Sequence, residues 1–259
     1  MLVTGITVTS EEGNLIVVNG YTLQMSAAIL PVNATDSSVT WSVISIGPLY
    51  GTATIDESGN LTGTKIGAIQ VIATANDGSG KKGSMYIDVS KDYEIGDLGA
   101  AGGLVFYDKG FYSDGWRYLE AAPADYAYSM KWSNVTGTLV GTQTAIGTGQ
   151  ANTTAIIGQA GHYDSAAKNC NDKNMYIVET ATNVGDWFLP SQDELNLMKQ
   201  NLYLASPSLG GFTIGRFYWS SSESMGSGST EALGMYVADT YNWYNKSYGS
   251  GYVRAIRSF

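Results

Sequence analysis

The sequence is poor in the side chains that most enzymes use for covalent or metal chemistry. Its 259 residues include one cysteine, Cys170, and one histidine, His162. A single cysteine excludes an intramolecular disulfide and a multi-cysteine metal site within one chain. Nothing in the Gly- and Asn-rich region between the two residues joins them as a base and a nucleophile. We therefore predict an exposed histidine, a buried structural cysteine and no cofactor.

Charged residues are also scarce, and most of them are acidic. They make up 14% of the chain, and 23 acidic residues against 14 basic ones give a net charge of −9. Such a surface repels phosphate, which argues against nucleic acid and against an anionic membrane as partners. No apolar run approaches the roughly 20 residues that a membrane-spanning helix needs. No membrane insertion is expected.

The first residues, MLVTGITVTSEEGN, contain neither the basic nor the apolar region of a signal peptide. Low charge with abundant Gly, Ser, Thr and Tyr is nevertheless typical of β-rich proteins outside cells. We expect an extracellular, cell-surface or virion-associated protein. Either the chain has been trimmed, or it reaches that location by assembly or lysis.

Residues 3–90 alternate apolar and polar side chains in short runs, which predicts half-buried strands. Turn signals such as Asn19-Gly20 separate the runs. The alternating apolar positions are Leu23, Met25, Ala27, Val39, Trp41, Val43, Ile69, Val71, Ala73, Met85 and Ile87. Six or seven strands in about ninety residues favour a β-sandwich over residues 1–90, with Trp41 as an anchor of its core.

The motifs of this region also carry a family resemblance. The order VTGITVTS, LPVNATDSSVTWSV and ATIDESGNLTGTKIGAIQVIATANDGSGKKGSMYIDVS resembles a bacterial Ig-like domain of group 2. Domains of that family usually serve as spacers or adhesion modules on surface and virion proteins. The resemblance therefore implies a first domain without catalytic residues. A short polar linker, residues 91–94, follows it.

Residues 95–259 have a different rhythm, with Gly-rich turns and helical segments. The glycines of IGDLGAAGGLVFYDKG precede an apolar, strand-like run, whereas a nucleotide loop would precede a helix. We predict a structural loop followed by a strand there. One or two short helices are predicted within residues 145–170.

The best-defined helix follows Ser191. Ser191 and Glu194 have the spacing of a capping box, which satisfies backbone N–H groups at a helix start. Leu195, Met198 and Leu202 form its apolar stripe. The preceding Trp-Phe-Leu-Pro, residues 187–190, is expected to enter the core.

Several motifs together resemble the DUF1566-type domain of bacterial surface proteins, which is related to the C-type-lectin fold. They are GDLGAAGGLVFYDKG, GWRYLEAAP, DWFLPSQDELNLM, YWSSSE and VRAIRSF, in this order. The resemblance implies an α+β C-type-lectin-like domain over residues 95–259. The Glu-Pro-Asn and Trp-Asn-Asp motifs of calcium-dependent sugar-binding lectins do not occur, and Asn171–Asn174 lacks EF-hand spacing. No metal site is predicted.

The last 42 residues, from Tyr218 to Phe259, are rich in Tyr, Trp, Ser, Gly and Asn. This is the composition of an antibody paratope, in which rigid aromatic side chains supply contact area and small polar ones supply hydrogen bonds. The segment predicts recognition rather than catalysis. We expect its target to be a protein or glycan on a cell or particle surface.

The segment also resembles the variable proteins of diversity-generating retroelements, in which a stretch between framework motifs is mutated at adenine positions. The framework would comprise Trp219, Trp243, Val253, Arg254, Ile256 and Arg257. Trp243 is included because an Asn codon does not reach Trp by such mutations. The predicted binding residues are Ser224, Met225, Tyr236, Ala238, Asp239, Thr240, Tyr241, Asn242, Tyr244, Tyr248, Ser250 and Tyr252. About half of the tyrosines are expected to point inward, because strand side chains alternate.

Two alternatives remain open at this stage. A fixed-specificity adhesin or carbohydrate-binding module has the same sequence features. A glycosidase needs two carboxyl groups facing each other across a cleft, and its candidates are Glu120, Asp186, Glu223, Glu231 and Asp239. Acidic residues in an acidic protein are more often solvated surface, so an enzyme is the less favoured class.

Overall fold

The computed structural model describes residues 1–47, 50–125, 127–177, 182–205, 209–224, 230–239 and 241–259. The chain divides into two compact units. The first contains Met1–Asp92 and Tyr112–Gly115, and the second contains Tyr93–Phe111 and Trp116–Phe259. None of the described helices is both long and apolar enough to cross a membrane.

Within the described residues, the first unit is built from strands and one short 3₁₀ turn, Glu11–Gly13. The strands are β1 (Gly5–Ser10), β2 (Ile16–Val18), β3 (Thr22–Leu30), β4 (Val39–Ser45), β5 (Thr52–Ile55), β6 (Asn60–Lys65), β7 (Gly67–Ala75) and β8 (Lys82–Ser90). They form two four-stranded sheets in the orders β1-β3-β6-β5 and β2-β8-β7-β4. Only the β2–β8 pair is parallel among the described pairs of this unit.

One apolar cluster contains side chains from both sheets, which confirms the predicted β-sandwich. Its fully buried members are Leu61, Ile69, Val71 and Ala73. The prediction that Trp41 anchors this core is only partly right. Trp41 packs against the cluster but is half-buried, because β4 is an edge strand and has a neighbour on one side only.

The second unit combines helices and sheets. Its strands are β9 (Leu104–Ser113, of which residues 104–111 belong to this unit), β10 (Trp116–Ala121), β11 (Ala127–Met130), β12 (Met175–Ile177), β13 (Thr182–Val184), β14 (Phe217–Glu223), β15 (Glu231–Tyr236), β16 (Tyr241–Asn245), β17 (Gly251–Val253) and β18 (Ile256–Ser258). Its helices are α1 (Gly149–Ile157), α2 (Ala166–Asn171) and α3 (Gln192–Met198), and a π-helical turn, Lys199–Leu204, continues α3. The prediction of one or two short helices within residues 145–170 is confirmed as two helices, and α2 ends one residue beyond that range.

The strands of this unit form a three-stranded sheet, β18-β10-β9, a five-stranded sheet, β11-β17-β14-β15-β16, and the hairpin β12–β13. The five-stranded sheet separates two apolar clusters. Phe217 and Trp219 belong to one cluster, and Tyr218 between them belongs to the other. Since successive side chains of a strand point to opposite faces, β14 is buried on both sides.

Helix α3 begins as predicted. The Ser191 side chain accepts from the backbone N–H of Glu194, and the Glu194 carboxylate accepts from the N–H of Ser191. Leu195, Met198 and Leu202 are buried. The apolar residues before the helix, 187–189, are buried too, so the predicted core entry of this segment is confirmed.

Candidate functional site

The C-terminal segment supplies four adjoining strands of the five-stranded sheet. β15 pairs antiparallel with both β14 and β16, and β14 pairs parallel with β17. β16 lies at the edge of the sheet. Because side chains alternate along each strand, the aromatic residues of this segment divide between the two faces.

One face carries a packed group that we name the aromatic cluster: Phe217, Trp219, Tyr236, Tyr244 and Tyr248. The Phe217 and Tyr244 rings meet edge to face with centroids 4.8 Å apart, and Tyr244 stacks on Tyr248 at 4.6 Å. The hydroxyl oxygens of Tyr236 and Tyr244 lie 3.1 Å apart. This hydrogen bond, together with burial, raises the pKa of Tyr236 to about 12. Much of the surface of Tyr236, Tyr244 and Tyr248 is therefore in contact with other rings of the cluster.

The opposite side chains of β16 face outward. Tyr241 is 60% exposed and Trp243 is 55% exposed, whereas Asn242 and Tyr244 between and after them are half-buried. The expectation that Trp243 packs within the framework is therefore wrong, whereas its constancy at the gene level stays a prediction. The physical reason is strand alternation, which places residues 241 and 243 on the same face.

The other predicted binding residues occupy several environments. Ala238, Asp239 and Ser250 are exposed, Tyr252 is half-buried, and Ser224 is buried, with its N–H donating to the Glu231 carbonyl. Met225 and Thr240 lie outside the described residues. The structure thus brings Asp239, Tyr241 and Trp243 to the surface near the β15–β16 turn, but it does not gather all twelve predicted residues on one exposed patch.

A buried ion pair between Lys246 and Glu223 connects the ends of β16 and β14, the strands near the exposed Tyr241 and Trp243. Lys246 Nζ lies 2.6 Å from Glu223 Oε1, and both side chains are fully buried. Lys246 Nζ also donates to the Thr138 carbonyl and lies 4.7 Å from the centre of the Trp132 ring. Although Lys246 falls within the stretch that the sequence predicts to be displayed, it is therefore a core residue.

The backbone completes the environment of Glu223. Its carboxylate accepts from the N–H groups of Val140, Gly141 and Thr142. Burial favours a higher pKa for Glu223, but the bond from Lys246 and these N–H donors outweigh it and hold the pKa below its ordinary range. The ionised pair thus ties the end of β14 to residues 138–142 and to the end of β16.

A second buried carboxylate explains the Gly-rich segment before β9. Glu120 accepts from the N–H groups of Ala101 and Gly103, and Arg257 lies 3.0 Å from its Oε1. Burial raises the pKa of Glu120 despite these donors. The loop therefore cradles a carboxylate of its own chain, and the predicted strand after it is confirmed as β9.

Of the other predicted framework residues, four are confirmed as well-packed positions, and Arg257 is half-buried in ion pairs with Glu120 and Asp186. Trp219, Val253, Arg254 and Ile256 are buried. Arg254 binds Asp125 through two nitrogens, at 2.9 and 2.6 Å, and donates to the carbonyls of residues 122, 210 and 211. Both nitrogens donate to the same oxygen, Asp125 Oδ1, and the carbonyl acceptors fix the direction of the guanidinium.

The candidates for chemistry take structural roles. Cys170 is buried, and burial raises the pKa of its thiol, which disfavours the reactive thiolate. His162 is half-buried rather than exposed, and its Nε2 lies 2.9 Å from Ser165 Oγ. The expectation of solvated carboxylates is wrong for Glu120 and Glu223, since both are buried with cationic partners. Among the described residues, no three His, Cys, Asp or Glu side chains cluster to hold a metal ion.

The fold and the site together define a β-sandwich joined to an α+β unit with an exposed aromatic edge. Residues 2–84 match the family model of the bacterial Ig-like domain (group 2). The N-terminal unit is such a domain, as the sequence motifs imply.

Comparison with curated proteins finds partial relatives. The tail tube protein pb6 of Escherichia phage T5 is 43% identical over 91 residues, which is 34% of this chain and 18% of that protein. A 3-O-alpha-D-galactosyl-alpha-L-arabinofuranosidase of Bifidobacterium longum subsp. longum is 31% identical over 104 residues, or 39% of this chain and 9% of that enzyme. The chain thus spans less than a fifth of the length of either relative.

Solved structures give weaker likenesses. An intimin mutant of EHEC O157:H7 is 12% identical, with coverage of 99% of this chain and 100% of that one and a TM-score of 0.25. The adhesin InvE of Yersinia pseudotuberculosis is 14% identical, with coverage of 100% and 70% and a TM-score of 0.26. At such TM-scores, neither likeness carries an argument about fold or function.

The buried ion pair generates a stability prediction. Lys246→Met leaves the Glu223 carboxylate buried without its cation, and we expect the free energy of unfolding to fall by about 3–5 kcal/mol. The measurement is urea denaturation at pH 7. The double variant Lys246→Met/Glu223→Gln should recover most of the loss, because neither charge remains. A single variant as stable as the wild type would show that the pair does not hold the framework.

The lowered pKa of Glu223 predicts how stability depends on pH. The folded protein binds this proton less tightly than the unfolded chain, so the ionised carboxylate stabilises the fold at neutral pH. Glu223→Gln should be less stable than the wild type at pH 7. The difference should shrink as the pH falls below about 4.3, the ordinary value for Glu, and through the lower value in the folded state. Urea denaturation of both proteins between pH 7 and 3 tests this, and a difference independent of pH contradicts it.

Proposed function

We propose that the protein is a non-enzymatic recognition protein whose second unit presents a binding surface from its C-terminal segment. The observation that carries this is the exposure of Tyr241 and Trp243 on the edge strand β16. The target is a protein or glycan on the surface of another cell or particle. No nucleic acid and no membrane insertion are part of the proposal.

The energetic argument rests on how the exposed residues are supported. An aromatic ring held on a rigid strand loses little conformational freedom on binding and buries a large area. β16 is held by five residue pairs with β15, from Glu231–Asn245 to Met235–Tyr241, and its inward Tyr244 is locked in the aromatic cluster. Tyr241 and Trp243 are therefore preorganised contacts, and Ala238, Asp239 and Ser250 can add selectivity beside them.

The finer identity of the second unit is also part of the proposal. We assign it to the C-type-lectin fold of the DUF1566 type, on the strength of its ordered motifs. The α+β architecture and the burial of the framework residues Trp219, Val253 and Ile256 support this assignment. Between these framework positions, exposed residues can change without loss of packing. That arrangement supports diversification of the segment by a retroelement.

The location and the role of the first unit follow from its family. Domains of this family usually serve as spacers or adhesion modules, and we propose the spacer role for residues 1–90. Residues 91–94 would then be the linker to a binding domain that comprises residues 95–259. One partial relative is a phage tail tube protein, which supports an extracellular location on a virion or on a cell surface.

A fixed-specificity adhesin or carbohydrate-binding module is the second candidate. The exposed Trp243 favours this candidate. Adenine mutation of an Asn codon does not produce Trp, so Trp243 would be constant, and a constant exposed ring suits a fixed specificity. A glycosidase is disfavoured. Two of its candidate carboxylates, Glu120 and Glu223, are buried in ion pairs with Arg257 and Lys246, and Asp186 also pairs with Arg257.

Replacing both exposed rings tests the proposed surface. Tyr241→Ser/Trp243→Ser should weaken binding of the full chain to its target cells by at least tenfold, since removal of one central aromatic contact costs about 2 kcal/mol or more. The measurement is flow cytometry of the labelled protein on a panel of intact bacterial and animal cells. Stability should change little, because both side chains are more than half exposed.

The matched control is Tyr163→Ser, since Tyr163 is 69% exposed in the same unit but lies outside the five-stranded sheet. It should bind as the wild type does. Equal binding by the double variant, or no binding of the wild type to any cell of the panel, contradicts the proposed function.

The retroelement version makes a separate genetic prediction. The locus should contain a second, template copy of the sequence that encodes residues 224–252, together with a reverse transcriptase gene. Differences between the two copies should fall at adenines of the template. Sequencing the locus checks this, and a locus without template and reverse transcriptase leaves the fixed-specificity adhesin as the function.

A further inference from the structure

Strand β16 leaves one row of its backbone hydrogen-bonding groups at the surface. It pairs with β15 on one side, and no described strand lies on its other side. The Lys246 N–H donates to the Thr230 carbonyl, in the same unbroken register that pairs residues 241–245 with β15. Because bonded positions alternate in an antiparallel ladder, residues 242 and 244 also bond to β15. Residues 241, 243 and 245 therefore turn their N–H and C=O groups away from the sheet.

Most of these outward groups have no partner in the described part of the chain. The carbonyl of Asn245 accepts from the N–H of Tyr248, which closes a turn. The N–H and C=O groups of Tyr241 and Trp243 and the N–H of Asn245 remain, and they form a row with the spacing of a β-ladder. This row is the hydrogen-bonding pattern that another strand complements.

Two other edge strands of the second unit carry features that hinder pairing with another chain. β11 pairs with β17 through a shifted register, and its Ser129 has a φ of 61°. β9 contains the charged Lys109, followed by Gly110 with a φ of 87°. Irregular backbone and charged side chains are the usual protection of sheet edges. β16, with the sequence YNWYN, has no charge, no proline and no register shift, so its edge is open to a further strand.

A cavity beside this edge has room for side chains of an added strand. It lies between helix α3 and strands β15 and β16, and its volume is about 480 Å³. Its walls include Asn196, Leu233 and Tyr241. Leu233 lies opposite Trp243 in the register, so Tyr241 and Trp243 stand on the face of the sheet that carries the cavity. Every second side chain of a strand next to β16 would lie on this same face.

We propose that β16 binds an extended segment of a partner protein as a sixth strand of the five-stranded sheet. Main-chain hydrogen bonds to Tyr241, Trp243 and Asn245 supply affinity. Selectivity comes from alternate side chains of the segment, which contact the two exposed rings and enter the cavity. A glycan does not complete this ladder, because it has no N–H and C=O groups that alternate at the spacing of a strand.

Charge narrows the chemistry of the partner. The chain has a net charge of −9, and Asp193 at the cavity and Asp239 before β16 are both exposed. Two copies of this chain repel each other, which disfavours a second copy as the added strand. We therefore expect a neutral or basic segment. Its alternate residues should be aromatic or aliphatic, since they lie across from Tyr241 and Trp243.

This inference rests on the proposed function and deepens it, because it gives the class of target and the way in which the recognition surface binds it. The probe is a phage-displayed library of random linear heptapeptides, selected on the immobilised full chain. Enriched peptides are then synthesised with acetylated and amidated ends. We expect them to carry no net negative charge and to have apolar residues at alternate positions. Failure to enrich any peptide overturns the proposal.

Hydrogen exchange of the backbone amides shows where an enriched peptide binds. In the free chain, the amides of Tyr241 and Trp243 should exchange faster than those of Asn242 and Tyr244, which bond to β15. Saturation with the peptide should slow exchange at Tyr241 and Trp243 by at least about tenfold. Binding that leaves these two amides unprotected overturns the proposal. So does slow exchange in the free chain together with a dimeric mass in sedimentation, because a second copy would then cover the edge.

N-methylation of the peptide, one residue at a time, separates the backbone contribution from the side chains. Each N-methyl group removes one N–H donor and leaves the side chain in place. Since alternate N–H groups of a strand point toward its neighbour, affinity should fall by at least about fivefold at every second position. Positions between them should change little. A loss of affinity without this two-residue period contradicts strand addition.

Trp243→Pro and Trp243→Ser are a matched pair of variants of the full chain. Both remove the indole ring, but only proline also removes the outward N–H. Proline is tolerated on edge strands where the N–H faces solvent. Trp243→Pro should bind the peptide at least about tenfold more weakly than Trp243→Ser, with a similar urea midpoint. Equal binding by the two folded variants overturns the proposal, and if Trp243→Pro does not fold, the N-methyl series decides.

The outcomes separate this proposal from the proposed function. Loss of cell binding in Tyr241→Ser/Trp243→Ser, together with an N-methyl series that has no two-residue period, supports the recognition surface and rejects the added strand. Peptides that protect the amides of residues 241 and 243, in a chain that binds no cell of the panel, support the added strand and reject the proposed cellular target.

Discussion

The second unit depends on one constraint, which is that the charge of Glu223 must be neutralised inside the protein. Three backbone N–H groups of residues 140–142 and the Lys246 ammonium meet this need. A buried carboxylate without such partners would cost several kcal/mol. The pair therefore fixes a long loop, the end of β14 and the end of β16 relative to one another. This arrangement anchors the end of β16, the edge strand that carries the exposed Tyr241 and Trp243.

The same strand shows how a binding surface and a core can share one short sequence. In β16 the side chains of Tyr244 and Asn242 turn toward the packed face, and those of Tyr241 and Trp243 turn away from it. The inward residues give the strand its rigidity, and the outward ones give it contact area. A composition rich in tyrosine is therefore compatible with both roles, and the phase of the strand assigns each residue to one of them.

The second unit satisfies most of its buried polar groups with partners inside the protein. Most buried polar atoms in the second unit have partners, including the carboxylates of Glu120, Glu194 and Glu223. Among the described residues, the buried side-chain atoms without a hydrogen-bond partner are the amide atoms of Gln159 and Gln192 and Oε2 of Glu231.

Features that depend on a few neighbouring residues can be predicted from the sequence alone. Alternation predicted the sandwich strands, the spacing of Ser191 and Glu194 predicted the start of α3, and the apolar run predicted β9. The burial of particular polar residues and the exposure of particular aromatic residues depend instead on contacts between distant parts of the chain. Lys246 is buried because Glu223, 23 residues earlier, lies across from it, and Trp243 is exposed because β16 ends a sheet. Partners so distant along the chain leave no local pattern, so only the folded arrangement reveals them.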